Sequence, residues 1–326
     1  MTGIARSIMA LASMLLAIGC QEDPTIETVI TSQVIPTSEN GVYTDNGRFF
    51  VAGGDTIFEV LGGPDEFRAV PLVKQETCIF GGLVDRGDLL FASCTHLDLL
   101  NLDTRAELLR IDPRRGAPSV ERAVFPAGDV FVHPNGLEFG PDGALYVTNS
   151  AALLLGEPAI FRVEIVSESP LAIQISNFLD ASTLENIENI EEGGGLFPNG
   201  LRFDGSTLYY SRGATLVKMQ VLPDGSHGPM TVVYRTRDLI SVIDDFDINN
   251  GNLYIAQTHS LGALDTNLFK SKLVVTDLRG RVRSELVLPF VPSSTAVRRN
   301  TLFGTNTVIA TSVFQGGLYR ITADLR

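Results

Sequence analysis

The feature that most constrains this chain is a unit of four short β-type runs that returns along its length. It is plainest from Asn199, as "GLRFD", "TLYYSR", "TLVKMQVLPDG" and "MTVVYRT", with Asp204-Gly205 and Pro223-Asp224-Gly225 supplying turns. The preceding unit reads "GLEFG", "ALYVTN", "AIFRVEIVS" and "AIQISNFL"; the following one reads "DFDIN", "NLYIAQTH", "KLVVTDLRG" and "VRSELVLP". Further back lie "GGLVD", "LLFASCTH", "AELLRIDP" and "VERAVFP", and before them "NGVYTD", "RFFVAGG", "TIFEVLG" and "FRAVPLV". At the C-terminus "TAVRR", "TVIATSV" and "GLYRITAD" lack a fourth run, and "IETVITSQVI" at the other end can supply it. A four-stranded sheet cannot bury both of its faces alone, whereas a ring of such sheets can. The sequence therefore predicts an all-β chain, a six-bladed β-propeller with four strands per blade, closed by the N-terminal strand joining the last blade. Residues 27–326 read as a single domain, without an amphipathic helix of useful length. The acidic insertion "DASTLENIENIEEGGG" at 180–195 is expected as a surface loop and a candidate lid.

The first 20 residues, "MTGIARSIMALASMLLAIGC", carry one positive charge at Arg6, an apolar run from Ile8 to Ile18, and small residues ending at Cys20. That pattern reads as an export signal. Ala17-Ile18-Gly19-Cys20 is similar to a bacterial lipobox, which would lipidate Cys20 and leave 21–26 as a tether; an ordinary signal peptide is the alternative. The expected location is the bacterial cell envelope, or otherwise the periplasm or medium, with a lipid at Cys20 as the only membrane contact. Cys78 and Cys94 then remain as a pair flanking a hairpin, either a disulfide or two buried thiols. A formal net charge of -13 and the lack of a Lys/Arg-rich run argue against nucleic acid as a partner. A small-molecule substrate is the expected partner, and oligomeric state is not legible.

In a propeller blade the first strand lines the central channel, and all six begin at one mouth. Aligning units on the residue before Gly-Leu gives a slot held by Asn40, Gly81, Asn135, Asn199 and Asp244, with Ser294 or Thr295 in the sixth blade and Glu39 beside the first slot. Carboxylate and amide oxygens around one axis are hard ligands, suited to Ca²⁺ first, with Mg²⁺, Mn²⁺ or Zn²⁺ as alternatives. His96 and His259 end matching second strands and His133 lies two residues before Asn135, which makes His133 and His259 candidate proton carriers. Asn149 and Arg212, at the position of Gln257, join His96 and Asn135 as candidate substrate contacts. G-x-S-x-G, HExxH and phosphate-cradling glycine loops are absent from the sequence.

The segments "SENGVYTDNGRFFVAGG", "HPNGLEFGPDGALYVTN", "FPNGLRFDGSTLYYSRG" and "IDDFDINNGNLYIAQ" resemble the regucalcin/gluconolactonase family of six-bladed propellers. The resemblance implies a divalent metal held by Glu39, Asn199 and Asp244, with Asn135 as a further ligand or a substrate contact. It also implies metal-assisted hydrolysis of a lactone or related ester, with Asp244 or a mouth histidine handling the proton. The chain departs from the family at Asn40, where Gly is usual, at Tyr43, and at Asp244-Asp245-Phe246, which sets Asp245 against Asp244 as the ligand, with Asp244 favoured on register. A non-catalytic envelope binding module and a condensing enzyme like strictosidine synthase are the alternatives.

Overall fold

The computed structural model describes residues 24–322 apart from 64–65, 99–102, 115, 126–132, 151–156, 186–196, 238–239, 260, 263, 267, 299–301 and 306. Six antiparallel four-stranded sheets account for the described strands. They form a six-bladed β-propeller, in which five blades are built from consecutive strands. The sixth takes Thr295–Val297, Thr307–Thr311 and Leu318–Thr322, and its outer strand is Thr25–Ile30 from the start of the chain. Ring closure by the N-terminal strand is thus as the repeat implied.

Second strands are covered on both faces by neighbouring blades, and their composition follows. Phe49–Gly53, Leu145–Asn149 and Asn252–His259 are buried at every position. The fourth strand of blade five, Val282–Leu288, meets solvent and carries Arg, Ser and Glu between its apolar residues. The core lies between blades: Phe91, Leu108 and Phe125 of blade two pack with Leu137, Leu145 and Phe161 of blade three. Tyr146 and Ile160 of blade three pack in turn with Leu201, Leu208 and Tyr210 of blade four.

The one described helix, Ala181–Glu185, opens the insertion read as a loop. Asp180 starts it by accepting hydrogen bonds from the Thr183 amide and hydroxyl at 2.8 and 2.7 Å, an N-cap that the sequence reading missed. The rest of the candidate lid, residues 186–195, lies outside the described residues, as do the export signal and Cys20.

Candidate metal centre at the channel mouth

Each inner strand of blades two to five carries a β-bulge at the same point. The pairing register shifts between Phe80 and Leu83, Pro134 and Leu137, Pro198 and Leu201, and Ile243 and Phe246. The bulge is where Asn-Gly falls in blades three and four. Glycine is required there by the next inner strand: a Cβ on Gly136 would lie 2.3 Å from the Asn199 carbonyl oxygen, and one on Gly200 would lie 2.0 Å from Asp245 Oδ1.

The bulge also corrects the alignment drawn from sequence. Gly41 pairs with Val51 just as Leu137 pairs with Val147, Leu201 with Tyr210 and Phe246 with Ile255. Counting back from those pairs puts Glu39, Asn135, Asn199 and Asp244 on one level, with Asn40 and Asp245 one step deeper. Asn40 therefore leaves the slot and Glu39 takes it. In blade six Thr295 pairs with Ala310, which places Ser293 in the slot and Ser294 beside Asp245. An extra residue in each bulge shifts an alignment anchored on Asn-Gly by one position in the blade whose pairing shows no shift.

At the mouth, Asn135 Nδ2 donates to Glu39 Oε1 at 3.4 Å and Asn199 Nδ2 donates to Asp244 Oδ1 at 2.6 Å. Burial pushes the Glu39 carboxyl up to about 7, against the Asn135 hydrogen bond, and the Asp245 charge adds to the rise. Asp244 is raised well above the usual carboxylate range, by burial first and then by the charges of Glu39 and Asp245. Among the described residues neither carboxylate has a Lys or Arg partner.

One step deeper Asp245 gathers its own partners. Asn40 Nδ2, Ser294 Oγ and an Arg202 guanidinium nitrogen all donate to its Oδ2, at 3.0, 2.8 and 3.0 Å. Asp244 shares the layer of Glu39 and the asparagines, whereas Asp245 lies one step deeper with Asn40 and Ser294. Below Asp245 the channel opens into a cavity of about 370 Å³ lined by Asp85, Glu138, Arg202, Asp247 and Arg298 among others.

A relay of hydroxyls, which the sequence reading missed, holds the layer in place. Thr148 Oγ1 accepts from the Gly136 amide at 2.7 Å and donates to the Asn199 carbonyl of the next blade at 2.6 Å. Ser211 accepts from the Gly200 amide at 2.9 Å and donates to the Asp244 carbonyl at 3.1 Å. Thr311 accepts from the Ser294 amide and donates to the Glu39 carbonyl, and Ser93 receives the Gly82 amide. The signal was present in "ASC", "VTN", "YSR" and "ATS", where a Ser or Thr recurs at one place of four second strands.

The other expected residues have different surroundings. Asn149 is fully buried, accepting from the His133 amide at 3.0 Å and donating to the Glu157 carbonyl at 2.9 Å, so it ties the backbone at those two residues together. Arg212 is buried and its guanidinium donates to the Leu184 carbonyl of the short helix. His259 accepts from the Leu261 amide through Nδ1 and stacks on Phe269, steadying the loop after its strand. His96 meets Cys94 and Glu107 rather than the asparagines. His133 stands 3.3 Å from Thr95 Oγ1 through Nδ1, and burial lowers its pKa, which keeps the ring neutral near pH 7. Cys78 and Cys94 are joined as a disulfide, with Cα atoms 5.5 Å apart.

No family model matches the sequence, and no curated protein matches it. Solved structures do. A gluconolactonase from Xanthomonas campestris superposes with a TM-score of 0.57 at 15% identity, over 93% of this chain and 90% of that one. A streptogramin B lyase gives 0.55 at 10% identity, over 92% and 98%. Virginiamycin B lyase from Staphylococcus aureus, solved with quinupristin, gives 0.52 at 12% identity, over 92% and 99%. At such identities the likeness establishes the fold. The neighbours' different activities leave the chemistry to be argued from the site.

Proposed function

We propose that the channel mouth holds a divalent cation, Ca²⁺ in first place, and that the protein hydrolyses a lactone or related ester. The observation that carries this reading is the pairing of Glu39 with Asp244: two half-buried carboxylates within each other's field, with no Lys or Arg on either among the described residues. The donor set fits a hard cation. Glu39 and Asp244 supply charged oxygens, and Asn135 and Asn199 supply amide oxygens once each amide is turned over from the carboxylate it now donates to. When bound there, such a cation supplies Lewis-acid polarisation of a carbonyl oxygen.

The chain's own residues would do the rest. Asp244, with its raised pKa and the Asn199 hydrogen bond fixing its orientation, is placed to take a proton from water as the water oxygen bonds to the ester carbon. As the ring C–O bond breaks, the same carboxyl returns that proton to the departing alcohol oxygen. Neutral His133, tied to Thr95 at the rim, is the second proton acceptor. Asn40 and Ser294 hold Asp245 in place directly beneath the site.

The test is a calorimetric calcium titration of metal-stripped protein beside a lactone panel, with Glu39→Gln and Asp244→Asn. One calcium site lost in both variants, together with calcium-dependent ring opening, is the expected result. Calcium binding without turnover of any lactone would favour the binding-module alternative. No calcium, magnesium, manganese or zinc binding would remove the metal centre altogether.

A further inference from the structure

A second group of ligands lies in blade two, away from the carboxylates of the mouth. Cys94, His96 and Glu107 each offer one ligand atom, and the three atoms lie within 4.8 Å of one another. Cys78 joins them through the disulfide to Cys94. The placement follows from register: Cys78 pairs across the sheet with His96, and Cys94 pairs with Glu107. Three adjacent strands thus present Cys, Cys, His and Glu on one face.

We propose that reduction of the Cys78–Cys94 disulfide converts this group into a tetrahedral Zn²⁺ site with Cys78, Cys94, His96 and Glu107 as its four ligands. Two thiolates, an imidazole and a carboxylate are a donor set that zinc accepts. The spacing also fits, because zinc–ligand bonds of about 2.0–2.3 Å put neighbouring ligand atoms about 3.4–3.8 Å apart. Cys94 Sγ lies 3.3 Å from His96 Nε2, and His96 Nε2 lies 3.5 Å from Glu107 Oε2.

Two further observations point to a ligand rather than to packing. His96 Nδ1 lies 3.1 Å from the Thr77 hydroxyl, an outer-shell contact of the kind that orients a metal-binding imidazole with its other nitrogen inward. Thr77 makes that contact from φ 68°, a conformation unfavourable for a β-branched residue. Glu107 is 2% exposed, a buried carboxylate held by His96 and by the mostly exposed Arg105, which can swing out to solvent.

The chemistry balances with a dithiol as reductant. Its two thiols pass two electrons and two protons to the disulfide, the Cys78–Cys94 bond breaks, and the reductant leaves as its own disulfide. Zn²⁺ then displaces the two new thiol protons to solvent as the thiolates bind. Exchange with an oxidised dithiol runs this in reverse: that disulfide takes two electrons from the thiolates and two protons from solvent, the Cys78–Cys94 bond re-forms and the metal leaves.

The experiment compares full-length protein reduced with a phosphine against the oxidised protein, both saturated with Ca²⁺ to occupy the proposed mouth centre. Zinc stoichiometry and competition with a chromophoric chelator are measured, and Co²⁺ is added to read the sulfur-to-cobalt charge-transfer band. One zinc per chain in the reduced protein only, two-thiolate cobalt absorption, and affinity about 10- to 100-fold lower in His96→Ala and Glu107→Gln are expected. Thermal melting of each oxidised variant shows that it is folded. Absence of zinc from the reduced protein overturns the proposal. So does zinc taken up equally by the oxidised protein, or affinity unchanged in both variants, which would mean chelation by the two thiols alone. These readouts are independent of lactone hydrolysis.

Discussion

The two ends of the central channel both bury acidic residues, yet they treat them differently. At the far end Arg202 lies 4.0 Å from Glu138 and 3.9 Å from Asp247 while another of its nitrogens holds Asp245; burial pushes Asp85 up to about 6, and the Arg298 charge offsets part of that rise. At the mouth, the side-chain donors to Glu39 and Asp244 among the described residues are the amides of Asn135 and Asn199. Buried charge is expensive unless compensated, so the far end carries its counter-ions in the sequence while the mouth leaves room for one from solution. A uniformly acidic channel would be solubility carried inward. An acidic channel whose carboxylates, among the described residues, meet arginines at one end and not at the other is a division of labour between scaffold and site.

The largest break in that comparison is Asp244→Asn. It should abolish calcium binding while raising the melting temperature of the metal-free protein, because it removes one of two repelling buried carboxylates. Melts with and without calcium check both halves; a destabilised variant that calcium still protects would end the idea of an uncompensated mouth. Next is Arg202→Met, which strands Asp245, Glu138 and Asp247 without their shared cation. Breaking a buried ion pair from one side costs about 3–5 kcal/mol, so urea unfolding should show a loss of that order. Added calcium should not restore it, since the lost charge lies on the other side of Asp245. Third is Thr148→Val, which removes one hydroxyl between blades three and four and leaves the Gly136 amide and the Asn199 carbonyl unpaired. About 1–3 kcal/mol of stability should go. Calcium affinity should weaken too, because the hydroxyl fixes the backbone that aims Asn199.

How far the sequence could reach follows from the same residues. Six blades were legible because each turn carries its own Gly, Asn or Asp signal and second strands such as Leu145–Asn149 must be apolar on both faces. Glu39, Asn135, Asn199 and Asp244 were legible as a set, since residues at equal heights on inner strands must meet around an axis. The one-residue slip at Asn40 came from bulges, which change register without changing composition. Arg202 could not be placed: its partners Glu138, Asp245 and Asp247 come from blades three and five, and local pattern does not say which way a guanidinium turns. The surroundings of the histidines were hard to read for a related reason. A His at a strand end looks alike whether it faces a ligand, as read for His259, or accepts from the Leu261 amide of its own loop.

The smallest effect, and the one that isolates the mouth, is the dependence of calcium binding on pH. Burial raises Glu39 from 4.5 to about 7, and Asp244 moves in the same direction. Between those two values the folded chain holds a proton on Glu39 that the unfolded chain has lost. The contribution of this group to metal-free stability is therefore greatest below about 4.5 and falls away as pH rises through about 7. Calcium must displace that proton, so its affinity should drop as pH falls below about 7, by up to about tenfold per unit if one proton is exchanged. Glu138 is also raised to about 7, so stability curves alone would mix the two ends. Protons released on calcium binding come from the ligand side only. Titrations at acidic and mildly alkaline pH, each in two buffers of different ionisation enthalpy, should show net release that disappears toward high pH. Release that persists unchanged in Glu39→Gln would assign the proton to Asp244 alone and make Glu39 a neutral partner in the site.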